Sequence, residues 1–257
     1  MPEFHNAGFR LHFIDEGDPN APVVVLVHGF ASNIRVNWVD PGWVDTLTKG
    51  GYRVLAFDHR GHGESDKPRE AEAYTPEAMG SDILALLDGQ GIERAALFGY
   101  SMGARVSAFS ALAAPVRFPL LVLGGLGIGL VEGVGDWDPI AEALRAPSLD
   151  DVSHERGRMF RSFADRTRSD RLALAACIAT SRRELTRDEV RAISQPTLVG
   201  VGTRDDIAGS AEELAELLPH GEAFEIANRD HMLAVGDRTF KAAVLEFLDR
   251  HRASIES

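Results

Sequence analysis

From residue 21 onward, short and almost unbroken apolar runs alternate with longer stretches that repeat their apolar residues every third or fourth position. The short runs are "APVVVLVHGF" (21–30), "YRVLAFDHRG" (52–61), "ERAALFGYS" (93–101), "FPLLVLGG" (118–125), "QPTLVGVGTRDD" (195–206) and "AFEIANRDH" (223–231). Continuous apolar runs suit strands covered on both faces, as in a parallel sheet. Residues 8–16, "GFRLHFIDE", instead partly alternate polar and apolar, which predicts an edge hairpin strand.

Helices are predicted between the runs. In "TPEAMGSDILALLDGQG", Thr75 can cap and Pro76 takes the first helical position. Met79, Ile83, Leu86 and Leu87 then form one apolar stripe. "SAEELAELLP" (210–219) is a shorter helix stopped by Pro219, and "DRTFKAAVLEFLDRHR" (237–252) puts Phe240, Val244, Phe247 and Leu248 on one face. Strands alternating with helices predict an α/β fold, a mostly parallel twisted sheet with helices on both faces. From about Val131 to Ser194 the alternation stops, and short Arg-rich helical segments replace the strands.

Composition narrows the classes. A length of 257 residues suits one large domain, or one domain with an insertion. Net charge is −12, which disfavours a nucleic-acid partner, since phosphate binding needs clustered Lys and Arg. The single cysteine, Cys177, allows no internal disulfide and lies in the apolar run "LALAACIA", a core setting. The N-terminal stretch lacks an apolar core of signal-peptide type, and "FPLLVLGGLGIGLV" is too short to span a membrane. The expectation is a cytoplasmic protein with no membrane partner. No H-E-x-x-H, H-x-H-x-D-H or phosphate-cradling G-x-x-x-x-G-K occurs, so neither a metal nor another cofactor is expected.

The chemistry gathers where the predicted strands end. "GYSMG" places Ser101 between two glycines, after a buried strand and before a helical run. That strand-turn-helix context is what a strained nucleophile elbow needs. A serine hydroxyl is a weak nucleophile and needs a base. His231, just beyond the last strand, is the candidate, at the sheet edge where open α/β folds gather ligands. His28 abuts the Gly29–Phe30 turn and reads as structural. An orienting acid should follow the preceding strand, and Asp205 and Asp206 both qualify. Asp230 is a weaker rival, because neighbouring side chains on extended backbone point to opposite sides. The backbone N–H groups of Met102 and Phe30 are the candidate oxyanion hole.

The stretches "VVLVHGF", "FDHRGHGESDKP", "GYSMG", "VGTRDD" and "NRDH" occur in an order that resembles the serine-nucleophile, carboxylesterase-like members of the α/β-hydrolase superfamily. The resemblance implies the α/β-hydrolase fold and a triad of Ser101, Asp205 and His231. Asp205 is preferred over Asp206 because the family's G-x-x-D acid loop aligns with Gly202 and Asp205. It also implies a helical lid after Gly127. The resulting domain expectation is a core of residues 1–127 and 195–257 with a cap of residues 128–194. "DHRGHGES" is a structural loop in such relatives. Serine at the elbow disfavours the epoxide hydrolases and haloalkane dehalogenases that resemble this chain but use aspartate.

The expected activity is hydrolysis of a small-molecule carboxylic ester through an acyl-enzyme, rising with pH as His231 loses its proton. A C–C bond hydrolase, a perhydrolase and a ligand-sensing protein with the same fold are the alternatives. Phe118, Leu126, Ile128, Trp137, Met159, Phe160 and Phe163 are candidates to line the pocket, while Trp38 is read as a helix anchor.

Overall fold

The computed structural model describes residues 2–256. Its strands are β1 (Glu3–Asn6), β2 (Phe9–Glu16), β3 (Val23–Val27), β4 (Arg53–Phe57), β5 (Ala96–Tyr100), β6 (Leu121–Gly124), β7 (Thr197–Gly202) and β8 (Gly221–Ile226). They form one eight-stranded sheet in the order β1-β2-β4-β3-β5-β6-β7-β8. β1 and β2 pair antiparallel, as do β2 and β4, and every other neighbouring pair is parallel.

The unbroken apolar runs follow from burial on two faces. In β3, Val23, Val25 and Val27 join one core cluster and Val24 and Leu26 the other, because successive side chains point to opposite sides. The helices Pro76–Gly89 and Met102–Ala113 cover the first face. Trp43–Lys49 and Arg238–Arg250 cover the second. Thr75 caps its helix through Ala78 N–H, and the stripe Met79, Ile83, Leu86 and Leu87 is fully buried. The hairpin strand β2 lies one place in from the edge, since β1 pairs outside it. β8 does occupy an edge and is only partly buried. It covers residues 221–226, so the expected 223–231 strand starts earlier and stops at Ile226.

Between β6 and β7 the chain is helical, with segments Gly129–Glu132, Asp138–Arg145, Glu155–Arg166, Arg171–Thr180 and Arg187–Arg191. Arg105 ties the first face to this region. Its buried guanidinium donates to the carbonyls of Gly129 (3.0 Å), Leu130 (3.2 Å) and Arg183 (2.8 Å). Burial lowers its pKa to about 10. Among the described residues, no helix is long and apolar enough to cross a membrane.

Candidate active site

Ser101 leaves β5 with φ 55° and ψ −115°, a conformation strained for any residue with a side chain. The turn is possible because two glycines let segments meet. A Cβ on Gly99 would strike the backbone of Gly103, and one on Gly103 would strike the carbonyl of Val27. The helix Met102–Ala113 begins immediately, so its positive end lies beside the serine.

The turns after β7 and β8 deliver two partners. His231 Nε2 lies 3.0 Å from Ser101 Oγ, and His231 Nδ1 lies 2.8 Å from Asp205 Oδ2. The Asp205 side chain is fully buried, and its Oδ1 accepts from the N–H groups of Ile207 (2.9 Å) and Ala208 (3.0 Å). A carboxylate held at both oxygens presents a fixed acceptor, so His231 carries its proton on Nδ1 and offers the Nε2 lone pair to the serine. Asp206 is exposed. Asp230 caps the short helix His231–Ala234 by accepting from Met232 and Leu233 N–H.

Tyr100 supports this arrangement, a role that sequence reasoning missed. Its hydroxyl donates to the His231 carbonyl at 2.7 Å. Burial, with Asp205 and Asp230 nearby, pushes the phenol pKa well up, so it stays a neutral donor.

The Gly29–Ala31 loop follows β3 and runs close to Ser101. Gly29 N–H donates to Asn37 Oδ1 (3.0 Å), and Ala31 N–H donates to His62 Nε2 (3.1 Å). His62 Nδ1 donates to the Arg60 carbonyl at 3.0 Å, and His28 Nδ1 donates to the Gly29 carbonyl at 2.8 Å. His28 Nε2 accepts from His59 N–H (3.0 Å). Burial drives His28 down to about 4, and burial with the His28 neighbour drives His62 down to about 3. Both imidazoles are therefore neutral braces. The backbone N–H groups of Phe30 and Met102 have no acceptor among the described residues.

A cavity of about 200 Å³ opens beside Ser101 and His231, walled by Phe30, Trp137, Met159, Phe160 and Phe163. The Phe30 ring lies 5.7 Å from Phe160 and 6.5 Å from Trp137. A second hollow of about 30 Å³ shares Ser101, Phe30 and Trp137 with the first and has Leu126 in its wall. Ile128 lines neither cavity, and Phe118 is fully buried in the core against the sheet. Trp38 packs 4.9 Å from Phe98 in the opposite core, which is an anchoring position. Cys177 is buried, and burial pushes its thiol up to about 12. Asn37, Val36 and Arg166 line the larger cavity and carry no local signal in the sequence.

A mostly parallel sheet brings a strained serine at one strand exit together with a histidine and an acid from two others, within an α/β architecture. The α/β hydrolase fold family matches residues 22–145. 3-Oxoadipate enol-lactonase 1 of Acinetobacter baylyi is 28% identical over 235 residues, 84% of each chain. Epoxide hydrolase A of Mycobacterium tuberculosis is 38% identical over 120 residues, 42% of this chain and 36% of that protein. The chain thus spans about a third of the length of the epoxide hydrolases it matches. The crystal structure of the enol-lactonase from Burkholderia xenovorans superposes with a TM-score of 0.78 at 26% identity, covering 96% of this chain and 100% of that one. The chain belongs to the α/β-hydrolase superfamily.

Proposed function

We propose that the protein is a serine hydrolase that cleaves carboxylic esters, cyclic esters included. The observation that carries this reading is the continuous relay from Ser101 Oγ through His231 to the buried Asp205, at 3.0 and 2.8 Å. His231 Nε2 takes the serine proton as Oγ attacks the ester carbonyl. The tetrahedral oxyanion is held by the N–H groups of Phe30 and Met102, which have no protein acceptor to give up among the described residues. His231 then protonates the leaving alkoxide, and an acyl group remains on Ser101. Water, deprotonated by the same imidazole, releases the acid. Asp205 stays ionised throughout and stabilises the imidazolium.

The nucleophile separates this chemistry from that of the epoxide hydrolase relatives. An aspartate that opens an epoxide forms an ester, which water can cleave. A serine would form an alkyl ether, which the same site could not hydrolyse. Acyl transfer gives Ser101 a hydrolysable intermediate. The enol-lactonase relative, matched over most of both chains, acts on a cyclic ester by name and agrees with that choice. We read residues 128–194 as a cap whose Trp137, Met159, Phe160 and Phe163 set the shape of the acyl site.

The test is a panel of 4-nitrophenyl esters of graded acyl length, run on wild type and Ser101→Ala. A cavity of about 200 Å³ favours short acyl groups over long chains. Turnover that declines as the chain lengthens, and vanishes in the variant, supports the reading. No turnover of any ester by wild type would sink it.

A further inference from the structure

The larger cavity beside Ser101 has a one-sided set of polar groups. Asn37 lines it and is 5% exposed. Its Oδ1 is taken by Gly29 N–H, which fixes the amide orientation, and its buried Nδ2 has no acceptor among the described residues. Trp137 repeats the pattern, for it lines the same cavity and its buried Nε1–H also has no acceptor among the described residues. Buried donors are ordinarily satisfied, so two in one cavity wall point to acceptor oxygens on a ligand.

Arg166 adds a charge. It is exposed where it lines the cavity, and its guanidinium carbon lies 5.9 Å from the ring of Phe163, itself part of the wall. Among the described residues it has no carboxylate partner, because the adjacent Asp165 is engaged by Arg161 (2.9 Å) and Arg171 (3.6 Å). Among the described residues no Asp or Glu lines the cavity, in a chain with 39 acidic residues and a net charge of −12. The last helical turn favours a cation on general grounds. That does not account for a guanidinium held against the wall of a pocket whose buried N–H groups also lack acceptors.

We propose that the cavity takes a small ester or lactone that also bears a carboxylate. Arg166 pairs with the carboxylate at the mouth, and the Asn37 amide donates to a substrate oxygen deeper in the wall. This names the substrate class of the hydrolase proposed above and rests on that reading.

Two substrates that differ in the charge and by one methyl group test it: mono-4-nitrophenyl glutarate and its methyl ester. In wild type at low salt, kcat/KM for the free carboxylate exceeds that for the methyl ester by about tenfold or more, the scale of a charge-assisted hydrogen bond. The ratio falls towards one in Arg166→Gln and at high ionic strength. Equal kcat/KM for the two in wild type, or a ratio that Arg166→Gln leaves unchanged, overturns the proposal while the hydrolase reading stands. Titration of glutarate, followed by tryptophan fluorescence, reads the anion site without turnover. If no ester is hydrolysed, the hydrolase reading falls and this titration decides: saturable, Arg166-dependent quenching supports the anion site, and its absence overturns it.

Discussion

The backbone N–H of Ala31 donates to Nε2 of His62 at 3.1 Å, joining the loop after β3 to the loop after β4. Phe30, whose N–H is the proposed oxyanion donor, sits immediately before Ala31. In the proposed mechanism His62 therefore fixes the position of a group that acts only at the transition state. His62→Phe keeps a ring but removes the acceptor. It is expected to lower kcat by about tenfold to hundredfold, the scale of a small misplacement, with a smaller change in KM. His62→Gln, which restores an acceptor, is expected to recover part of the loss. Steady-state kinetics on one short-chain ester checks both.

The buried histidines make stability depend on pH. Burial lowers the folded pKa of His28 to about 4 and of His62 to about 3, from an ordinary 6.5. The unfolded chain then binds protons that the folded chain does not. Stability from this source is complete above pH 6.5 and is lost as the pH falls towards 4. The loss between pH 7 and pH 5 is about 2 kcal/mol for each histidine. Denaturant unfolding at the two pH values measures it. The drop is expected to be smaller in His62→Gln than in wild type.

Arg105 holds the elbow helix to the helical region after β6 by three hydrogen bonds to carbonyls. Arg105→Met fills much of the volume but leaves those carbonyls unpaired. A loss of about 3 kcal/mol is expected, measured by urea unfolding. Faster amide exchange should accompany it in residues 128–185.

Tyr100 and His231 are joined by the 2.7 Å bond from the phenol to the His231 carbonyl. Tyr100→Phe deletes only that hydroxyl. A stability loss of about 1 kcal/mol is expected. On the proposed mechanism kcat should fall several-fold more than KM changes, because the His231 imidazole loses its anchor and not its chemistry. Unfolding and kinetics on the same preparation separate the two effects.

The parts legible in the sequence were those with a local cause. "VVVLV" reads as a doubly covered strand because each of its residues is buried, and β3 is that strand. Thr75 and Pro76 mark a helix start by their own chemistry. Ser101 and His231 were readable because they follow strands. Asp205 and Asp206 are the same residue type in the same turn, and only the resemblance to known hydrolases chose between them. Burial of one and exposure of the other is a property of the folded turn. Asn37, His62, Tyr100 and Arg166 were not legible, because their significance lies in partners or walls far along the chain. Tyr100 and His231 are 131 positions apart. Phe118 was misread for a related reason, since an apolar residue beside a strand looks the same whether it faces a pocket or the core.

Covalent capture at Ser101 tests the central claim most directly. Wild type treated with a fluorophosphonate is expected to gain a single adduct, mapped by peptide mass spectrometry to Ser101, as ester turnover disappears in step. Ser101→Ala is expected to gain none and to hydrolyse no ester. An adduct on another residue, or wild-type turnover in Ser101→Ala, would contradict the account.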